Sequence, residues 1–107
     1  MTLEVAFWRS DGGNEPVREW LRGLASEVRK AVGDDIRYVQ ANWPIGKPYV
    51  DGFGNGLYEV RTKHNNIHYR VLFSIHQRTM ILLHYIVKKT RKTPNADIAL
   101  ARERQKE

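Results

Sequence analysis

Three strand-length segments in the second half of the chain constrain its fold more than any other feature: Leu57 to Thr62, Ile67 to Ser74 and Thr79 to about Lys88. Each is rich in β-branched and aromatic residues. The links between them, Lys63-His64-Asn65-Asn66 and His76-Gln77-Arg78, are short and polar. Strands joined in this way pair with their sequence neighbours, so the three are expected to form an antiparallel meander. One face of such a sheet must be covered, and the rest of the chain has to supply the cover.

The first half contains suitable cover. Thr2 to Arg9 alternates as a strand, with Leu3, Val5 and Phe7 on one side and Trp8 on the other. After the turn residues Ser10 to Asn14, the positions Val17, Trp20, Leu21 and Leu24 make an apolar stripe at helical spacing. Asn14 is placed to cap this helix and Pro16 to stand in its first turn. Ser26 offers a second cap, and Val28, Val32, Ile36 and Val39 continue a helical stripe to about Asn42. Trp43-Pro44 ends it, because the residue before proline disfavours the helical region. Residues 44–56, punctuated by Pro44, Gly46, Pro48, Gly52, Gly54 and Gly56, read as irregular. Thr93-Pro94 reads as the cap and first residue of a last helix. The expected architecture is α+β in the order β-α-α-β-β-β-α: an antiparallel sheet with a helical hairpin on one face and a C-terminal helix. At 107 residues one domain spanning 1–107 is expected.

Composition narrows the function. The chain has no cysteine, which excludes disulfides and thiolate metal sites. No His/Asp/Glu spacing suggests a metal site, and none suggests a cofactor. No apolar run approaches membrane-span length and the N-terminus does not read as a signal peptide, so the cytoplasm is the expected compartment. The net charge of +6 is unevenly spread: residues 1–60 hold 7 Lys/Arg against 9 Asp/Glu, whereas residues 61–107 hold 11 against 3. Clustered cations bind phosphate backbones by releasing counterions, so the second half points to a polyanion, with RNA the leading candidate.

Alternation within the strands assigns the cations to faces. In the middle strand His68, Arg70, Leu72 and Ser74 share one side and Tyr69, Val71 and Phe73 the other. Arg70 is expected on an open face, with His68 beside it and Arg61 opposite it on the preceding strand. Glu59 is placed to tether one of the two guanidinium groups. On this reading Arg70→Ala should leave the fold intact. Arginine forks suit phosphate oxygens, while His84, Tyr85, Lys88 and Lys89 are candidates for moving protons. The run Lys88-Lys89-Thr90-Arg91-Lys92 borders this surface and is expected to contact phosphate.

The ordered set Leu57-Tyr58-Glu59-Val60-Arg61, Tyr69-Arg70-Val71-Leu72-Phe73, Ile81-Leu82-Leu83-His84 and Lys88-Lys89-Thr90-Arg91-Lys92-Thr93-Pro94 resembles the phage-derived Gp49-like toxins. These stand near the HigB branch of the RelE/ParE toxin–antitoxin superfamily. The resemblance implies a RelE/ParE-like fold and an mRNA interferase that enters the ribosomal A site and cuts messenger RNA without metal. It also implies a cognate helix-turn-helix antitoxin. Arg61 and Arg70 match arginines that would contact the scissile phosphate, and Lys88, Lys89 and Lys92 match the basic close of the motif. His84 and Tyr85 join the catalytic candidates, and His68, Lys89, Arg91 and Lys92 the RNA-binding ones. Tyr85 stands where many relatives carry glycine, and Arg91 where a neutral residue is common. The same superfamily offers two alternatives: a ParE-like inhibitor that binds gyrase, and an inactive phage-derived binding module.

Overall fold

The computed structural model describes residues 1–107. Its order is β1 (Glu4–Phe7), α1 (Pro16–Gly23), α2 (Ser26–Ala41), β2 (Val50–Gly54), β3 (Leu57–His64), β4 (Ile67–His76), β5 (Thr79–Lys88) and α3 (Asn95–Gln105). The meander forms as expected, with β3, β4 and β5 antiparallel neighbours. Its turns place Asn65, Asn66 and Gln77 at positive φ, a conformation that asparagine tolerates well and that matches the twist of a tight hairpin.

Two expectations about the sheet need correction. Residues 50–54 are not irregular: they form β2, which pairs antiparallel with β3 through a hairpin turned at Asn55-Gly56. The Asn-Gly pair supplies the two positive φ angles that such a turn demands. Nor is the sheet wholly antiparallel. Its strand order is β1-β5-β4-β3-β2, and β1 runs parallel to β5. With the four later strands paired in sequence, only β2 and β5 keep a free edge, and β1 occupies the one on β5.

The helix starts also differ from expectation. Glu15, Ala25 and Pro94 hold the cap positions, and none makes a side-chain capping bond. Asn14 and Thr93 therefore cap nothing, and Ser26 is the first residue of α2 instead of its cap.

The α1–α2 pair packs on one sheet face. Val17, Val32, Ile36 and Val39 meet Val60, Val71, Phe73, Met80 and Leu82 in a continuous apolar cluster. Trp43 lies edge-on to both Tyr58 and Phe73 within it. The opposite face is not open, as alternation alone suggested. Helix α3 crosses it and closes a smaller cluster of Leu57, Leu72, Leu83, Ile86 and Ala101. A register shift opposite Leu72/Phe73 inserts Leu83 as an extra residue, so that Leu83 and His84 both address α3. Polar clasps finish the attachment. Arg102 donates to the Phe53 and Gly54 carbonyls, Gln105 to that of Asn55, and Arg104 to that of Leu83 while stacking over Trp8. No helix is long and apolar enough to cross a membrane.

Candidate nucleic-acid interface

Helix α3 leaves the second face uncovered where β3 runs on past the end of β2. There Arg61 and Lys63 of β3 stand opposite Arg70 and His68 of β4, the register pairing Arg61 with Arg70 and Lys63 with His68. These four residues line a groove of about 540 Å³ together with Arg91, Asp35, Thr62, Pro48 and Tyr49. The segment 46–50 forms one wall, tied to the strand by the Arg61 amide donating to the Tyr49 carbonyl at 2.8 Å. Thr62 points to the other face and donates to Asp35 Oδ2 of α2 at 2.7 Å, so the groove wraps around the exposed edge of β3.

Arg70 forms the floor. It is 1 % exposed and does not stand free in solvent, which overturns the expectation that its removal would leave the fold untouched. A buried guanidinium needs partners. Arg70 Nη2 donates to the Arg91 carbonyl at 2.9 Å, and Arg70 Nε lies 3.4 Å from Glu59 Oε2. That Nε is nonetheless the one buried side-chain polar atom left without a hydrogen bond. Glu59 is itself 2 % exposed; its other oxygen accepts from Thr93 Oγ1 at 2.6 Å, and Arg61 Nε stands 3.7 Å from Oε2. The tether expected of Glu59 thus exists and holds both arginines. Thr93, freed from capping, pins the basic segment 89–94 against the sheet, and Arg91 is carried into the groove as a result.

Burial sets the charge states here. It raises the Glu59 pKa, against the lowering effects of the Thr93 hydrogen bond and the Arg70 and Arg61 charges. It lowers that of Arg70, with Glu59 opposing and Arg61 and Arg91 assisting, though a guanidinium starts so high that it stays charged. His68, 8 % exposed, is held below the ordinary histidine value first by burial and then by the cations Arg70, Lys63, Arg91 and Arg61. Its imidazole is therefore neutral at neutral pH, an acceptor among donors.

The sequence-derived residues separate into two groups. Arg61, Arg70, His68 and Arg91 converge on the groove, and Lys88 flanks His68 in the ladder on the side opposite Lys63. Lys89 and Lys92 are exposed on the segment leading to α3. His84 lies outside: its Nε2 is 2.8 Å from Asp97 Oδ1 of α3, and it pairs with Leu72 farther along the sheet. Tyr85 is on the other face, stacked on Trp20 at 4.5 Å and 6°, and cannot reach the groove. Asp35, Tyr49, Thr62 and Lys63 are groove residues that sequence reasoning missed. Lys63 was legible, because it is two residues from Arg61 on the same face; Asp35 and Tyr49 arrive from α2 and a loop and left no local signal.

A lining with four cations and one carboxylate, floored by an arginine fork, is chemically suited to phosphodiester oxygens. Comparison with known proteins agrees with the strand motifs. No curated protein matches the chain significantly, but the model of the phage-derived Gp49-like protein family, a family associated with toxin–antitoxin modules, matches residues 19–106. That match takes in the second half of α1, all of α2, every strand of the groove and α3: the chain belongs to the Gp49-like family.

Proposed function

We propose that residues 1–107 act as one RelE/ParE-type toxin domain, an mRNA interferase that cuts messenger RNA in the A site of the translating ribosome. In this reading a cognate helix-turn-helix antitoxin restrains it in the cytoplasm. The observation that carries the reading is the convergence of Arg61, Lys63, Arg70 and Arg91 around the buried His68 in a groove open along one strand edge. A surface made only for attraction would not need a buried, desolvated proton acceptor at its centre.

The proposed chemistry is metal-independent transesterification. The ribose 2′-oxygen attacks the adjacent phosphorus, the bond from phosphorus to the 5′-oxygen breaks, and the products are a 2′,3′-cyclic phosphate and a 5′-hydroxyl. Neutral His68 accepts the proton of the 2′-hydroxyl. Arg61 and Arg91 hold the non-bridging oxygens as negative charge builds on them, and Arg70 supplies positive potential from the floor. Lys88, beside His68 on β5, gives a proton to the departing 5′-oxygen. Lys89 and Lys92 guide flanking phosphates. His84, held by Asp97, and Tyr85, held by Trp20, take no part in this scheme.

The test is controlled induction of the intact chain in cells, with 5′ ends of messenger RNA mapped before and after growth arrest. New cuts inside translated regions, lost when translation is blocked and reduced about 100-fold in Arg61→Ala, are the expected result. Arg61 is the appropriate probe because its side chain is partly exposed and carries less of the fold than Arg70. Growth arrest with intact messages would transfer the target to a protein.

A further inference from the structure

The lining of the groove is chemically mixed. Arg61, Arg70 and Arg91 supply cations. Tyr49, half-buried and packed in part against the apolar core, also lines it, and its ring lies tilted against that of Tyr38 of α2, with centroids 4.5 Å apart and planes 31° from parallel. Tyr38 is 44 % exposed, one of the few large apolar side chains left open to solvent. Asp35 stands one helical turn before Tyr38, on the same side of α2. Only Asp35 Oδ2 is committed within the protein, to Thr62; Oδ1 has no protein partner.

From this arrangement we infer that Tyr49, backed by Tyr38 and bordered by Asp35, is a base-binding subsite that stacks one unpaired nucleobase of single-stranded RNA. The inference deepens the reading of the groove as an RNA site and rests on it. Three features support it. Stacking on an aromatic face is how proteins grip unpaired bases, and any base supplies the π-surface. The Arg61 amide and the Tyr49 carbonyl are hydrogen bonded, so a phosphate on Arg61 and a base on Tyr49 would belong to the same or adjacent nucleotides. Finally, a carboxylate repels phosphate and accepts N–H groups from a base edge. Asp35 thereby orients the strand: backbone toward the arginines, base toward the tyrosines. The groove then selects unpaired RNA, because a base held in a duplex cannot turn onto Tyr49.

Binding of short RNA oligonucleotides at low salt tests this directly. A probe carrying 2-aminopurine and a matched probe with an abasic residue at that position are titrated onto the intact protein. Quenching of 2-aminopurine and about tenfold weaker binding of the abasic probe are expected for the wild type. Tyr49→Leu, which keeps apolar packing, should bind both probes equally and weakly with an unchanged salt dependence. Tyr49→Phe should restore the preference, and exposed Tyr38→Ala should show a partial loss. Equal affinity of the wild type for both probes, or no binding of either, would overturn the subsite. The parent reading is judged separately by translation-dependent cutting, so a groove that cleaves without preferring a base would sink this inference alone.

Discussion

The two faces of the sheet are built from the same strands but to different rules. On the α1–α2 face, β3, β4 and β5 present Val60, Val71, Phe73, Met80 and Leu82 to two amphipathic helices, and the cluster they form is apolar and tightly buried. On the α3 face the apolar cluster is small, and beyond its edge the strand residues Glu59, His68 and Arg70 are buried together with Thr93 of the segment that follows β5. Burying apolar surface stabilises by roughly 25 cal/mol per Å², whereas burying charge costs free energy unless partners offset it. The first face therefore carries most of the stability. The second holds a desolvated, cation-rich end that a protein selected for stability alone would replace with leucine or valine. Chemistry of the kind proposed for the groove needs that end, because charge interactions strengthen where water is excluded.

The sharpest way to break the comparison is to damage the apolar face. Phe73→Ala removes a fully buried ring that touches Trp43 and Tyr58, and should cost about 3–5 kcal/mol. Urea unfolding is the measurement, with the groove variant Arg61→Ala as the control expected to lose less than about 1 kcal/mol. If both variants lost similar amounts, the division of labour between the faces would be wrong.

Arg70→Ala comes next and separates structure from function within the polar face. It strands Glu59 in a buried site and releases the Arg91 carbonyl, so about 3 kcal/mol should be lost. Much of that should return in Glu59→Gln/Arg70→Met, which removes the stranded charge together with its partner. A double variant as unstable as the single one would show that Arg70 acts through packing and not through pairing. In either background the proposed RNA cleavage should be absent.

This revision of Arg70 shows what was legible in the chain. Alternation along β3 and β4 correctly paired Arg61 with Arg70 and placed Glu59 beside them. The depth of Arg70 was not legible, because its cover comes from Arg91 and Thr93, 21 and 23 positions on, and a charged residue in mid-strand ordinarily reads as exposed. The glycines of 52–56 concealed β2, although Asn55-Gly56 carried the hairpin signal. His84 and Tyr85 are neighbours in a strand and therefore face opposite ways, which was enough to say that one groove could not use both. Their partners were not legible: Asp97 of the later helix takes His84, and Trp20 of α1 takes Tyr85 on the opposite face, so neither lines the groove.

The smallest effect is a difference in how the faces respond to acid. The α1–α2 cluster contains no histidine and no carboxylate, but His68 and Glu59 on the other face are moved in opposite senses. His68 is depressed below its ordinary 6.5, so as pH falls through that value the unfolded chain takes up a proton that the native imidazole refuses, and stability declines. Glu59 is raised above its ordinary 4.5; its contribution is complete below that value and is lost as pH rises through the folded pKa, which softens the decline at lower pH. Between pH 7.5 and 5.5 the His68 effect should dominate for the folded protein. Urea midpoints should therefore fall over this interval in the wild type and fall less in His68→Gln, which has no proton to refuse. An equal fall in both would mean that His68 is not held neutral, and would remove the proton acceptor from the proposed mechanism. If the midpoints behave as expected, the rate of RNA cutting should hold down to a pH below the usual histidine range, since the base stays unprotonated for the same reason that acid unfolds the chain.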